Sequence, residues 1–306
     1  MRQNARTART LAGVVMAVAA GVTLGACNRP HLSTTPLTVV GVESQYADVL
    51  GQLGGRYVHV VAILNNPSAD PHSFEATVST AQEIAAAAIV VQNGAGYDSS
   101  ITPIETATAG SGRRIVSAAA VDGVGSTVRN PHLWYRIDTM HRVAAVVTAD
   151  LIHFAPRERN YFLAREQRFD QSLLRWQRLV RLARARTRGL AVAVTEPVGD
   201  YLLSAMGLRI ATPFTFQADV MNGIDPSPEL LAYQSHLLST KAVQLFCFNR
   251  QVESVLTQRL SAQAHQAHVQ TCGLYETLPV GEHYQQWMTN TTTTILADLN
   301  ISIAKE

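Results

Sequence analysis

Short apolar segments alternate with helix-forming segments along most of the chain, and this alternation restricts the fold more than any other feature. Four predicted strands lie between residues 37 and 117, and four more lie between residues 190 and 274. Strands and helices that alternate at this spacing form parallel sheets covered on both faces. The pattern therefore predicts an α/β protein with two lobes, each with a mainly parallel sheet flanked by helices. The predicted strands span residues 37–43, 58–64, 89–92, 114–117, 190–195, 209–216, 243–248 and 268–274.

One long helical segment separates the two groups of strands. Its apolar side chains fall mostly on one face, while ten arginines from Arg157 to Arg188 occupy much of the rest. About thirty helical residues span roughly 45 Å, which suits a helix that joins two lobes better than one that covers a single lobe. We therefore assign residues 37–155 to an N-terminal lobe, 156–188 to a bridging helix and 189–306 to a C-terminal lobe. The arginine-rich face is either solvated or directed at a membrane or an acidic partner.

Residues 1–27 have the pattern of an export signal. Three arginines and no acid precede an apolar run over residues 11–24, which is too short to span a membrane comfortably. The sequence that ends at Cys27, Leu-Gly-Ala-Cys, resembles a bacterial lipobox. That resemblance implies cleavage before Cys27, a lipid on its sulfur, and an exported protein anchored to the outer face of the cell membrane through the polar tether 28–36. The alternative is an ordinary secretory signal in which Cys27 is incidental.

Charge and cysteine content exclude some functions and leave one question open. The formal net charge is +2, and the basic residues lie mainly in the signal and the long helix, so we expect no nucleic-acid surface. Besides Cys27, the chain has only Cys247 and Cys272, both in apolar strand-like segments. In an exported protein they form either a disulfide or two buried free thiols in neighbouring strands.

Three turns carry side chains of the types that bind metals. His72 follows the second predicted strand, His132 lies in a later turn of the same kind, and Glu196 ends the fifth predicted strand. Proline directly precedes each histidine and fixes the backbone that leads into the imidazole. A single histidine or glutamate on a loop is usually solvated or caps a helix. Because open α/β sheets bind ligands at the carboxyl ends of their strands, however, we expect these three side chains to meet in one site.

At these turns the chain resembles the metal-binding solute-binding proteins of ABC importers that take up manganese and zinc. The resemblance implies two α/β lobes bridged by a rigid helix, one divalent metal in the cleft between them, little hinge motion, and an ABC permease as partner. It also implies that His72 and His132 are ligands from the N-terminal lobe. Glu196 matches the third ligand, which is His in many zinc binders and Glu in many manganese binders. We expect a monomer. The motifs that carry the resemblance are DPHSFE at residues 70–75, NGAGYD at 93–98, NPHLWY at 130–135, TE at 195–196, ETLP at 276–279 and WM at 287–288.

The fourth ligand position departs from the family pattern. Family members usually carry an Asp in the turn after the last strand, where this chain has Leu278 or Val280. Glu276 and Glu282 flank this position. We expect Glu276 to be the ligand because it directly follows the last strand and its side chain is one methylene longer than that of Asp. Glu282 or a water molecule is the alternative.

The predicted ligands form a borderline metal site. Two imidazoles with one or two carboxylates suit zinc, manganese or ferrous iron. A closed ligand shell captures a metal without catalysis, so the resemblance implies a binding protein that delivers zinc or manganese to an importer, and not an enzyme. Two alternatives stay open. One is a metal-dependent enzyme, because two histidines and one carboxylate also form the facial triad of iron oxygenases. The other is a lipid-anchored adhesin with a structural metal.

Overall fold

Eight strands form two sheets in the computed structural model, which describes residues 35–66, 74–110, 112–125, 128–252 and 254–302. Cys27 and His72 lie outside the described residues. The strands are β1 (Leu37–Glu43), β2 (Val58–Leu64), β3 (Ile89–Gln92), β4 (Arg114–Ser117), β5 (Ala191–Val194), β6 (Arg209–Ile210), β7 (Leu245–Asn249) and β8 (Gln270–Leu274).

The two sheets have the same topology. The first has the order β2-β1-β3-β4 and the second β6-β5-β7-β8, and every pairing is parallel. In each sheet the strand order therefore reverses once, between β1 and β3 and between β5 and β7. The carboxyl ends of strands at such a reversal are where open α/β sheets bind ligands.

Helices cover both faces of each sheet. In β1, Val39 belongs to one apolar cluster whereas Val40 and Val42 belong to another, because successive side chains of a strand point to opposite faces. Strands buried on both faces are apolar along their whole length, which explains the sequence pattern. The helices are α1 (Ser44–Gly54), α2 (Val78–Ala86), α3 (Thr102–Ala107), α4 (Ala118–Val121), α5 (Thr139–Phe154), α6 (Arg159–Thr187), α7 (Asp200–Ala205), α8 (Phe214–Met221), α9 (Pro228–Ser239), α10 (Val255–Gln266) and α11 (Tyr284–Asp298).

The long helix α6 connects the two sheets. A 3-10 turn, Pro156–Glu158, leads directly into its 29 residues, which correspond to roughly 43 Å. The buried side of α6, including Phe162 and Trp176, belongs to an apolar cluster that also contains side chains of β1 and β5. The Trp176 indole N–H donates to Thr292 Oγ1 in α11 at 3.0 Å. The predicted architecture, two parallel sheets with helices and one long connecting helix, is therefore confirmed.

Two predicted elements are wrong. Residues 209–216 do not form one strand: only Arg209 and Ile210 pair with β5, and helix α8 begins at Phe214, directly after Pro213, which has no N–H to continue a ladder. The Asp225-Pro226 pair also predicts a helix with Asp225 as its N-cap and Pro226 at its first position, but Asp225 does not cap helix α9. Its N-cap is Ser227, because a residue that precedes proline disfavours the helical conformation and Ser227 is extended before Pro228.

The two cysteines of the second sheet lie opposite each other. Cys247 in β7 pairs in register with Cys272 in β8, and both are buried free thiols.

In the part of the chain that the structure describes, no helix combines the length and the apolar character that a membrane span needs. From Thr35 onward the chain forms one compact unit by its internal contacts.

Candidate metal site

Side chains from both sheets meet where their strands end. His132 lies in the loop before a 3-10 turn, Leu133–Tyr135, that packs at the ends of the first sheet. Glu196 follows β5 by two residues, and Glu276 follows β8 by two residues. His132 and Glu276 are fully buried, and Glu196 is 3% exposed. Burying two carboxylates is unfavourable unless hydrogen bonds and a cation compensate them.

Asn130 fixes the tautomer of His132. The Asn130 side-chain amide N–H donates to the carbonyl of Pro197 at 2.7 Å, so its oxygen Oδ1 faces His132. That oxygen accepts the backbone N–H of His132 at 2.9 Å and lies 2.8 Å from its Nδ1. Because an amide oxygen only accepts, Nδ1 carries the proton, and in the neutral ring the lone pair is on Nε2. A metal-binding histidine that coordinates through Nε2 has this arrangement.

The lone pair of His132 faces a carboxylate from the other lobe. His132 Nε2 lies 3.4 Å from Glu276 Oε2. The Tyr97 hydroxyl donates to the same oxygen at 2.7 Å, and the Asn249 side-chain amide donates to Glu276 Oε1 at 2.5 Å. Burial, and then the charge of Glu276, raises the pKa of Tyr97 well above its ordinary value, so the phenol stays protonated and remains a donor.

Asn249 links the two glutamates. The nitrogen that donates to Glu276 also lies 3.3 Å from Glu196 Oε2. One amide, at the last residue of β7, therefore holds two buried carboxylates near each other. Like charges in one buried site disfavour full ionisation of both groups, and a bound cation removes that penalty.

The backbone of Glu276 is held from both lobes. The side-chain oxygen of Gln251 accepts the N–H groups of Glu276 at 2.6 Å and of Thr277 at 3.1 Å. The Gln45 side-chain amide, from helix α1 of the first lobe, donates to the carbonyl of Glu276 at 3.1 Å. The position of this carboxylate therefore depends on contacts with distant parts of the chain.

Further hydrogen bonds cross between the lobes beside the site, and we call the whole set the lobe-bridging bonds. They tie the first lobe both to the turn after β8 and to the start of α7. Besides the contacts of Tyr97 and Gln45 with Glu276, the set comprises Asn130 to the Pro197 carbonyl at 2.7 Å, Tyr201 to the Asn130 carbonyl at 2.9 Å, Tyr135 to the Tyr275 carbonyl at 2.8 Å, and the Leu278 N–H to Ser44 Oγ at 2.9 Å.

A pair of buried acids supports the turn that carries Tyr97. Glu43, the last residue of β1, and Asp98 are both buried and their charges interact. Burial, and then the charge of Asp98, raises the pKa of Glu43 well above its ordinary value, so the protonated form of Glu43 is favoured. Asp98 also accepts the N–H of Gly94, and Asn93 donates to the carbonyl of Pro131 at 2.7 Å. The 93–98 turn and the His132 loop are thereby joined.

The structure brings three of the four predicted ligands to this region. His132 and Glu276 face each other directly, and Asn249 joins Glu196 to Glu276. His72 lies outside the described ranges, so its position in the site stays a prediction. Among the residues that are described, no group of three or more His, Cys, Asp or Glu side chains could hold a metal by itself. The four-ligand assignment therefore stays a prediction.

The alternative ligand Glu282 has other surroundings, since its carboxylate accepts a hydrogen bond from Asn290 in α11 at 3.2 Å. Val280, one of the two residues at the position where the family carries Asp, is 85% exposed. The sequence analysis did not identify Asn249 or the role of the Tyr97 hydroxyl. The sequence signal that could have identified Asn249 is its position: it directly follows the predicted apolar strand 243–248, at the same edge of the sheet as the ligands.

Comparison with known proteins identifies one family and several solved structures with a similar fold. A family model described as ZnuA, zinc-uptake complex component A, periplasmic, matches residues 39–297. A search of curated protein sequences gives no match.

Three similar solved structures cover nearly all of the folded chain. The periplasmic zinc-binding protein TroA from Treponema pallidum has 18% identity and a TM-score of 0.71, and the match covers 87% of this chain and 99% of TroA. FpvC from Pseudomonas aeruginosa in complex with Mn2+ has 18% identity and a TM-score of 0.70, with 87% and 98% covered. A crystal structure of ZnuA has 16% identity and a TM-score of 0.69, with 87% and 99% covered. At these identities the likeness shows the fold. The family model extends from β1 into α11, and the chain belongs to the ZnuA family of periplasmic zinc-uptake components.

Proposed function

We propose that this chain is the extracytoplasmic binding component of an ABC importer, which captures one divalent transition metal between its lobes and delivers it to a membrane permease. The observation that carries the proposal is the buried contact between His132 of the first lobe and Glu276 of the second. Two ligands that lie about 2.1 Å from a tetrahedral metal are about 3.4 Å apart, and the observed separation of Nε2 and Oε2 is 3.4 Å.

We assign His72, His132, Glu196 and Glu276 as the ligands, and zinc as the metal that binds most tightly. Two carboxylates neutralise a divalent cation and also suit manganese or iron. The general order of affinities favours zinc over manganese. Among the similar structures, TroA is described as zinc-binding and FpvC was solved with Mn2+, so both metals belong in the test.

We propose capture without catalysis. The candidate ligands come from turns of both lobes, and the rings of Tyr97 and Trp134 pack edge-on against His132. A facial-triad enzyme keeps coordination positions open to a substrate in a cavity. The complete burial of His132 and Glu276 instead supports a closed shell. Oxygen consumption by the iron-loaded protein above that of free iron would contradict this assignment.

A metal titration tests the proposed site. A ligand that binds only the folded state raises stability by RT ln(1 + [L]/Kd), about 4 kcal/mol at a thousandfold excess over Kd. We expect His72→Ala and His132→Ala each to remove most of this gain in thermal unfolding with zinc and with manganese. His141→Ala is the matched control, because His141 is an exposed histidine paired with Asp170. An unchanged metal response in His132→Ala would refute the site.

We also propose that Cys27 is the lipid-modified N-terminus of the mature protein. The Leu-Gly-Ala-Cys sequence behind an apolar run supports this. Cys27→Ser should move the protein from the membrane fraction to the soluble extracytoplasmic fraction when the membranes are washed at high salt, which removes purely electrostatic contacts. A variant that stays membrane-bound at its full, unprocessed length would contradict lipid anchoring.

A further inference from the structure

The second half of helix α6 carries a concentrated positive charge. Residues 175–188 contain six arginines and no acid. All six arginines are exposed, whereas residues of the same helix such as Trp176 and Val180 are buried. We call this surface the arginine face, and it comprises Arg175, Arg178, Arg181, Arg184, Arg186 and Arg188 together with Leu174 and Leu182.

Most of these charges are not used within the fold. In the part of the chain that the structure describes, the side chains of Arg175, Arg181, Arg186 and Arg188 form no ion pair or hydrogen bond, and Arg184 donates only to the Ala205 carbonyl at 3.3 Å. The first half of α6 differs. It contains Glu166 and Asp170, and its Arg165 donates to the carbonyls of residues 51 and 52. The first half therefore has three arginines against two acids, and most of the net positive charge lies at the C-terminal end of the helix.

Exposed leucines interrupt the arginines. Leu174 is 57% exposed and Leu182 is 38% exposed. Single exposed apolar side chains are common on solvated surfaces, but a helix that lies on a bilayer combines basic residues with leucines at the boundary between headgroups and acyl chains. One guanidinium group can bind a phosphate through two parallel N–H···O hydrogen bonds. The combination fits a surface that presents phosphates above an apolar layer.

We propose that the arginine face binds the phosphate headgroups of an anionic bilayer and holds the folded protein against the membrane, by a contact separate from the metal site. The family is periplasmic, so a membrane surface is the phosphate-rich partner at hand. The contact does not depend on a lipid at Cys27. If that lipid is present, the arginine face decides which side of the fold lies on the membrane, because one anchor and one polybasic surface together give stable attachment.

Vesicle co-sedimentation tests the proposal with the unlipidated chain that begins at Asn28, which keeps the whole compact unit. The probes are vesicles of phosphatidylcholine alone and of phosphatidylcholine with about one third phosphatidylglycerol. We expect binding only to the anionic vesicles, with an affinity that falls steeply as salt increases. Each basic residue near an anionic surface strengthens binding about fivefold. The variant R175Q/R181Q/R186Q/R188Q should therefore bind at least about a hundredfold more weakly.

A matched variant controls for net charge. R129Q/R157Q/R159Q/R259Q removes the same number of exposed charges elsewhere, from side chains without ion pairs in the described structure, and should keep most of the binding. L174Q/L182Q should weaken vesicle binding several-fold at unchanged charge, which separates a bilayer from an acidic protein partner. Should the fourfold variant not fold, R175Q/R186Q and R181Q/R188Q replace it, each with a loss of about 25-fold. Equal losses in the two fourfold variants, binding to neutral vesicles, or no binding to anionic vesicles would overturn the proposal.

Discussion

Replacing Glu276 by Gln tests the candidate site most sharply, because it should change the metal-bound and metal-free proteins in opposite directions. Gln keeps the size of the side chain, an oxygen that accepts from Asn249, and an amide N–H that can donate to the Tyr97 hydroxyl, but it removes one of two negative charges that Asn249 holds together in a buried region. In the metal-bound protein, the substitution removes a proposed ligand and a charge that neutralises the cation. Without metal, the repulsion between Glu276 and Glu196 is relieved.

The expected magnitude follows from the metal linkage. At a thousandfold excess of metal over Kd, the wild type gains about 4 kcal/mol. Loss of a group that merely supports a ligand weakens metal binding about 10- to 100-fold, so loss of a ligand should cost at least a factor of about 100. At the same metal concentration the variant then gains only about 1.4 kcal/mol. At about 2 °C per kcal/mol for a protein of this size, the metal-induced rise in Tm falls from about 8 °C to about 3 °C.

Thermal unfolding with and without zinc measures both effects in one experiment. The metal-free Tm of Glu276→Gln should equal or exceed that of the wild type. Glu282→Gln is the matched control, since Glu282 contacts Asn290 and should leave both temperatures unchanged. A full metal response in Glu276→Gln, or a loss confined to Glu282→Gln, would refute the assignment of the fourth ligand.

Three further predictions concern the surroundings of the site. Asn249→Ala removes the amide that donates to both carboxylates and should weaken metal affinity about 10- to 100-fold, measured by competition with a chelator, whereas the exposed Asn222→Ala should not. Burial raises the pKa of Asp200 to about 7, so the fold favours its protonated form, and the stability present in acid is lost as the pH rises through 7. Asp200→Asn should therefore raise the free energy of unfolding of the metal-free protein at pH 8 but hardly at pH 4, and an equal effect at both would contradict this. Cys247 and Cys272 should react with a thiol reagent only after unfolding, and two titratable thiols in the denatured protein without reductant would exclude a disulfide.

Much of the fold is predictable because its strands are buried on both faces. The bounds of β1 and β2 agree with the predicted ones, since apolar β-branched runs between turn residues leave little choice. The errors arose where local signals compete. Residues 209–216 are apolar enough for a strand, but Pro213 ends the pairing. In Asp225-Pro226-Ser227-Pro228 the same capping pattern occurs twice. A helix that began at Pro226 would need Ser227 to be helical directly before Pro228, which is disfavoured, so the helix begins at Pro228.

Only those residues of the candidate site that directly follow a predicted strand or lie at a marked turn could be predicted from the sequence. Glu276 could be placed because it directly follows an apolar strand, and His132 because Pro131 marks a turn. The role of Asn249 could not be predicted, because it depends on which strands pair and on a side chain that reaches two carboxylates from different loops. The link from Gln45 to the Glu276 carbonyl, 231 positions apart in sequence, likewise exists only in the folded chain.

The lobe-bridging bonds have a kinetic consequence. Three of them end on the backbone of residues 275, 276 and 278, so the turn that carries Glu276 cannot swing away from the first lobe without breaking all three. A binding protein with a loose hinge opens spontaneously, and its ligand leaves at the rate of that opening. We expect a bound ion in this protein to leave instead only when this turn opens locally and breaks these hydrogen bonds, which should happen more rarely. The bound state should therefore persist long after free metal is removed, and rapid unloading should require a partner that competes for the hydrogen bonds of this turn.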